Sequence, residues 1–203
     1  MAIPKEAMLA AFPPRRMVGK FTIHSPALIH LFALGACGNP VVSGNDQPTM
    51  QQQVEVFAVL SLDPDQVAML FASGSEQGAA QIASLRDRIT IKTPSAIILS
   101  AVSISMVALA EAMACFVPTR DPNAGDEMDA TRIDNWGWPL VATEFVINRY
   151  PAYDFDQAIR MPLVRMFSCR VLAEVLREGK VPSAPSYGER AYIDAIAGQP
   201  AGV

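Results

Sequence analysis

Residues 93–118, TPSAIILSAVSISMVALAEAMACFVP, decide how the rest of the chain is interpreted. Thr93 can cap a helix N-terminus, and Pro94 suits the first helical position, where its missing N–H group costs nothing. Pro118 ends the helix, because proline cannot continue it. Between the two prolines the only charged residue is Glu111, so the helix is apolar nearly all round. A helix of this kind is covered either by other helices or by lipid.

The length of the 94–117 helix fits both environments. It passes the threshold for crossing a bilayer, and the basic residues before it, with acidic residues after it, would orient it in a membrane. However, Glu111 and three serines dilute its hydrophobicity. The neighbouring segments also have amphipathic patterns whose apolar faces need a partner. We therefore predict that the helix is the buried centre of a soluble protein, with a single membrane-spanning helix as the alternative.

The composition argues against nucleic-acid binding, a disulfide framework and a zinc site. The chain has 203 residues, of which 51% are apolar and 18% charged, and its net charge of −4 comes with no basic run. Nucleic-acid binding is therefore disfavoured. The three cysteines, Cys37, Cys115 and Cys169, are isolated in the sequence. This spacing favours reduced thiols over a disulfide framework or a zinc site.

Helix-start signals recur along the first half of the chain. Ser25 precedes Pro26, Thr49 has a glutamine three residues later, and Asp63 precedes a proline with a second glutamine at the same spacing. A serine, threonine or aspartate followed by glutamine at this distance is the capping-box pattern. No alternating strand pattern of any length interrupts these segments. We predict an all-α fold, a multi-helix bundle of about eight or nine helices around the long apolar helix.

The polar segment 119–135, TRDPNAGDEMDATRIDN, suggests a boundary within the chain. It is acidic and lacks an apolar face, which is typical of a linker loop. We predict an N-terminal helical unit over 1–118, the acidic loop, and a C-terminal helical unit over 136–203. A single domain containing all three is the alternative.

Residues with catalytic potential are present, but no arrangement of them forms a motif. His24 and His30 are six residues apart and so lie on different sides of a helix. Glu111 is more readily explained as a helix-edge residue that pairs with an arginine than as a buried general acid. Asp126, Glu127 and Asp129 lack the spacing of a calcium loop. The sequence thus predicts no enzyme, no catalytic or metal site and no cofactor.

Four aromatic residues near the start of the C-terminal unit are the candidate binding site. Trp and Tyr supply much of the binding energy at protein interfaces. Ordinary core packing is the alternative explanation of this cluster. The candidate partner-binding residues are Trp136, Trp138, Tyr150 and Tyr153.

Two stretches resemble a known family. Residues 25–44, SPALIHLFALGACGNPVVSG, with 49–62, TMQQQVEVFAVLSL, give a short apolar helix, a Gly-Asn-Pro break and a Thr-capped helix. Residues 138–180, WPLVATEFVINRYPAYDFDQAIRMPLVRMFSCRVLAEVLREGK, add a Trp-led helix, a Tyr-Pro turn and a helix with an internal Met-Pro-Leu. Together they resemble the tail assembly chaperones of tailed bacteriophages and prophages.

The resemblance implies a non-enzymatic protein of the host cytoplasm that binds the tape-measure protein before the tail tube forms. It also implies an apolar, helical partner, and a homo-oligomer is compatible with it. The long apolar helix is not part of the family pattern. From the residues alone, the alternative function is that of a small membrane-inserted protein with one spanning helix at 94–117.

Overall fold

The structure is a computed structural model that describes residues 16–43, 47–114, 147–148 and 153–166. Of these residues 72% are helical, and a small two-stranded sheet is present as well. The predicted helical class is therefore confirmed in its main feature. The expectation that the chain lacks strands is wrong for the residues that precede the first helix.

The elements follow one another with short connections. The strands are β1 (Arg16–Val18) and β2 (Phe21–Ile23). The helices are α1 (Leu28–Ala36), α2 (Pro40–Ser43), α3 (Met50–Leu60), α4 (Pro64–Phe71), α5 (Ser75–Lys92), α6 (Ser95–Ala114) and α7 (Phe155–Arg160).

The two strands form an antiparallel hairpin around a two-residue loop. Val18 pairs with Phe21, and Gly19 between them has φ +57°. A glycine at the first position of a two-residue loop is the choice that lets the turn match the twist of the strands. Each strand has only three residues, so the sequence shows almost no alternation from which to predict it.

Helix α1 starts two residues later than the Ser25–Pro26 pattern predicts. Its N-cap is Ala27, and the backbone N–H of Ala27 donates to Nδ1 of His30 at 3.0 Å. The imidazole thus fills the place of the glutamate or glutamine in a capping box. At the other end Gly38 has φ +67°, and the Asn39 N–H donates to the Leu34 carbonyl at 2.9 Å. This is the C-terminal arrangement that glycine favours.

The capping boxes predicted for the next two helices are confirmed. The Thr49 hydroxyl accepts from the Gln52 N–H of α3, and the Gln52 side chain accepts from the Thr49 N–H in return. Asp63 and Gln66 make the same reciprocal pair at the start of α4. Each pair satisfies N–H groups that a helix start would otherwise leave without an acceptor.

The core of this part of the chain lies around α1 and α3. Helix α1 packs against α2, α3, α4 and α5, and α3 packs against α5. Every residue of α3 from Val54 to Leu60 is buried, so its second half has no solvent face. The Phe57 ring is fully buried and meets the Phe21 ring edge-on, with centroids 5.1 Å apart. These two helices therefore hold most of the largest fully buried side chains among the described residues.

Helix α6 is the long apolar helix expected at 94–117, and it is described from Ser95 to Ala114. Its residues alternate between buried and exposed along its length. The structure confirms the helix. Whether a complete bundle is arranged around it stays a prediction.

The chain divides into two compact units. One unit contains the described residues from 16 to 111, together with Ile159–Pro162. The other contains the described residues 112–114, 147–148, 153–158 and 163–166. In this second unit Asp154 caps α7, accepting from the Gln157 N–H at 2.7 Å. The acidic loop 119–135 lies outside the described residues, so the boundaries predicted from the sequence stay predictions.

Candidate partner-binding surface

The aromatic cluster predicted as a binding site is described at one position only. Tyr153 is half-buried and lies immediately before the N-cap residue of α7. Trp136, Trp138 and Tyr150 lie outside the described residues. The structure therefore does not test whether the four residues form one surface.

Helix α6 has a buried side and an exposed side, and both consist of apolar residues and serines without a charge. The buried side contains Ile98, Ala101, Val102, Ser105, Ala108, Leu109 and Ala112. The exposed side, here called the outward face, contains Ala96, Leu99, Ser100, Ser103, Val107 and Ala110. On both sides the spacings are three and four residues, as in helices that pack lengthwise against another helix.

The outward face has none of the charges that a surface helix usually carries. Leu99 is 53% exposed and Val107 is 48% exposed, and the chain has no charged residue from 95 to 110. Between these two side chains the face is formed by small residues, which let another helix approach closely. A surface helix normally turns charged and polar residues to the solvent. The outward face therefore has the chemistry of a surface that another apolar element covers.

The hairpin lies alongside α6. The Arg16 guanidinium pairs with the Glu111 carboxylate at 2.6 Å, near the end of the helix. At the hairpin turn, a side chain placed on Gly19 would meet Ile97 at 3.6 Å, near the helix start. Positions 97 and 111 are separated by about 21 Å along a helix. The prediction that Glu111 is a helix-edge residue paired with an arginine is confirmed.

A buried polar cluster connects the end of α1 to α3 and α5. The Glu55 carboxylate accepts from Asn39 Nδ2 at 2.9 Å and from Arg86 Nη1 at 3.3 Å. Asn39 Nδ2 also donates to the Gln52 carbonyl, and Arg86 donates to Asp87 on its other side. Because each charged group has hydrogen-bond partners, the cluster satisfies buried polar groups and holds three helices in register.

Cys37 lies near this cluster and is half-buried. Burial raises the pKa of the Cys37 thiol to about 11, and the Glu55 carboxylate adds to the effect. The thiol is therefore protonated at neutral pH. A protonated thiol is a poor nucleophile and a poor metal ligand.

His30 is fully buried and neutral. Its Nδ1 accepts from the Ala27 N–H, so Nε2 carries the proton and donates to the Leu62 carbonyl at 3.0 Å. Burial lowers the pKa of His30 from 6.5 to about 4, and the hydrogen bond to Leu62 opposes this shift. Both ring nitrogens are occupied by backbone groups, so the imidazole is structural and has no nitrogen left for a ligand.

The described part of the chain contains no group of three or more His, Cys, Asp or Glu residues that could hold a metal ion. By length and composition, one helix in that part could cross a membrane, and it is α6, over Ser95–Ala112. Of this window 39% is buried, and the other residues are half-buried or exposed.

Comparison with known proteins gives no match. No family model, no curated protein and no solved structure matches this chain.

Proposed function

We propose that this protein is a non-enzymatic binding protein that holds an apolar helix of a partner on the outward face of α6. The observation that carries the proposal is the lack of charge on this exposed face, together with Leu99 and Val107, which are about half exposed. Burying exposed apolar surface of this kind provides the main driving force for association. An apolar or amphipathic helix laid along a groove is a common form of such recognition.

The outward face defines what the partner helix must be like. From 96 to 110 it extends about 21 Å, which corresponds to about four helical turns of a partner lying lengthwise. Small residues dominate the face, so the partner can approach closely and fill the spaces beside Leu99 and Val107 with larger apolar side chains. The face has no charged residue that could pair with a charge on the partner. The contacting side of the partner is therefore uncharged.

We propose further that the protein acts in the assembly of a phage tail in the host cytoplasm, with the tape-measure protein as its partner. The resemblance of residues 25–44 and 49–62 to tail assembly chaperones supports this identity. In the structure these residues form an apolar helix, a break at Gly38–Pro40 and a Thr49-capped helix. A tape-measure protein is a long helical protein, which matches the uncharged, lengthwise contact described above. Trp136, Trp138, Tyr150 and Tyr153 are proposed as a further contact.

The proposal is tested by a charge placed on the outward face. Leu99→Glu is expected to abolish co-purification of the tape-measure protein encoded in the same genome, because the complex would bury an unpaired carboxylate. Met69→Glu is the matched control, since Met69 is 72% exposed and lies on α4. Co-purification that survives Leu99→Glu in a folded protein, or that is lost equally in both variants, contradicts the proposed surface.

A membrane-spanning function is the second candidate, because α6 is long and apolar enough to cross a bilayer. The hairpin argues against it. The hairpin lies beside α6 from Ile97 towards Glu111. Among the described residues, no third strand pairs with its edges. Within hydrocarbon the N–H and C=O groups of these edges would have no partners, which costs several kcal/mol per group. Recovery from cells in the soluble fraction without detergent supports the binding protein; extraction from membranes only by detergent supports the spanning helix.

A further inference from the structure

Residues Ile159–Pro162, here called the strap, belong to the same compact unit as residues 16–111. Their contacts lie far away in the sequence: Arg160 pairs with Asp65, 95 residues earlier, and Pro162 with Ala27. The residues on either side of the strap belong to the other unit. The strap is therefore a short segment that docks onto a distant part of the sequence.

An ion pair, a β-bridge and a buried side chain hold the strap in place. Arg160 Nη1 pairs with the Asp65 carboxylate, in the first turn of α4, at 2.7 Å. Pro162 forms an antiparallel β-bridge with Ala27, the N-cap residue of α1. Met161, between them, is only 6% exposed. The order along the chain is thus a basic residue, a buried apolar anchor and a proline in extended backbone.

The sequence explains why the second half of the strap, Met161 and Pro162, lies outside the helix. Proline disfavours helical backbone at the residue before it, so α7 ends at Arg160 and leaves Met161 and Pro162 outside the helix. The chain is helical again from 163 to 166. A break of this kind exposes main-chain groups for pairing. It also lets one side chain point away from the helix surface as an anchor.

We propose that the N-terminal edge of α1, with Asp65 of α4, is an acceptor site for a segment of the type basic–Met–Pro whose Met and Pro lie outside a helix, and that the strap occupies this site in cis. Main-chain pairing gives such a site its affinity, and the anchor and the ion pair give it specificity. A segment of the same chemistry on another chain fits the same contacts. The cis strap excludes it through its high effective concentration, and release of the strap makes the site available. This site is separate from the outward face of α6.

The probe for this site is a fluorescent peptide with the sequence of residues 157–166, QAIRMPLVRM, whose binding to the full-length protein is followed by anisotropy. Met161→Glu in the protein expels the strap, because its anchor position is buried. We expect the peptide to bind this variant at least tenfold more tightly than it binds the wild type. Met161→Ala, which shortens the anchor without adding a charge, is expected to give an intermediate affinity, and it decides the question if Met161→Glu does not fold.

The Arg160–Asp65 ion pair allows a test of specificity in the Met161 variant, whose strap is released. Asp65→Lys is expected to weaken binding of the peptide severalfold, and a peptide carrying Arg160→Glu is expected to restore it. Glu76→Lys is the matched control, since Glu76 is an acidic residue in the first turn of α5 and should leave binding unchanged. Equal binding of the peptide to wild type and both Met161 variants overturns the proposal. It is also overturned if no variant binds the peptide, or if Asp65→Lys has no effect.

Discussion

The buried imidazole of His30 makes stability depend on pH in a defined way. The folded state keeps the ring neutral, since burial holds its pKa at about 4, whereas the unfolded chain takes up a proton near the ordinary value of 6.5. The unfolded state therefore binds more protons between these two values. The stabilising contribution is fully present above pH 6.5, falls as the pH decreases, and levels off below about pH 4.

The size of the effect follows from the same two values. The difference between 6.5 and about 4 corresponds to about 3 kcal/mol, at about 1.4 kcal/mol per pKa unit. Protonation would also remove the acceptor for the Ala27 N–H and place a charge in the core. Acid should therefore weaken the start of α1 first.

Urea denaturation followed by circular dichroism at several pH values between 7.5 and 4 measures this contribution. His30→Gln is the matched variant, because glutamine is common at this capping-box position and does not titrate. Other acid-sensitive groups affect both proteins, so the difference between them isolates the imidazole. The wild type is expected to lose about 3 kcal/mol more than the variant from pH 7.5 to pH 4. A difference in stability between the two proteins that does not change with pH, or an imidazole NMR signal of His30 that titrates near pH 6.5, would contradict a buried, neutral His30.

Four substitutions test the packing of the same unit by urea denaturation. Phe57→Ala should lower the free energy of unfolding by about 3–5 kcal/mol, because the ring is fully buried; a loss below about 1 kcal/mol would contradict the described core. Glu55→Ala should cost about 2 kcal/mol by leaving buried donors without their acceptor. Asp87→Ala, on the exposed side of that cluster, should cost less than about 1 kcal/mol, and equal losses would argue against burial as the cause. Gly78→Ala should destabilise by about 1–3 kcal/mol, since its Cβ would lie 2.5 Å from the Phe71 ring, whereas helix propensity alone predicts a gain.

Local signals in the sequence predict several elements of the fold. Thr49 with Gln52, and Asp63 with Gln66, are capping boxes because their spacing requires only contacts within one turn. Pro162 is expected inside a helix, but α7 ends at Arg160 before it, because proline disfavours helical backbone at the preceding residue, which is also a local effect. Features of this kind depend on neighbouring residues and can be found without knowing the tertiary structure.

The parts that the sequence does not predict depend on contacts between distant residues. The start of α1 is set by the His30 side chain, which is fixed by the Leu62 carbonyl thirty-two residues away. The hairpin has strands too short to show a period, although Gly19 in the loop between them is a turn signal. The Arg160–Asp65 pair spans ninety-five residues and has no sequence pattern.

For α6 the sequence predicts that the helix lacks charge, but it does not predict which side is exposed. The sequence shows that both sides of the helix lack charge, but burial alone separates Ala101 from Leu99. The aromatic candidates carry a signal of residue type, since Trp and Tyr favour interfaces. Of these four only Tyr153 is described, so their contribution stays a prediction.

Photo-cross-linking from the outward face is the most direct test of whether a partner helix binds there. The photoreactive amino acid benzoylphenylalanine at position 99 reports what covers α6 in cells that co-express the tape-measure protein, and the same group at position 69 is the control. If the outward face holds the partner, a covalent adduct forms at position 99 with an apolar helical segment of the tape-measure protein, and no such adduct forms at position 69. Adducts at position 99 that contain only lipid, or protein adducts formed equally at both positions, would contradict it.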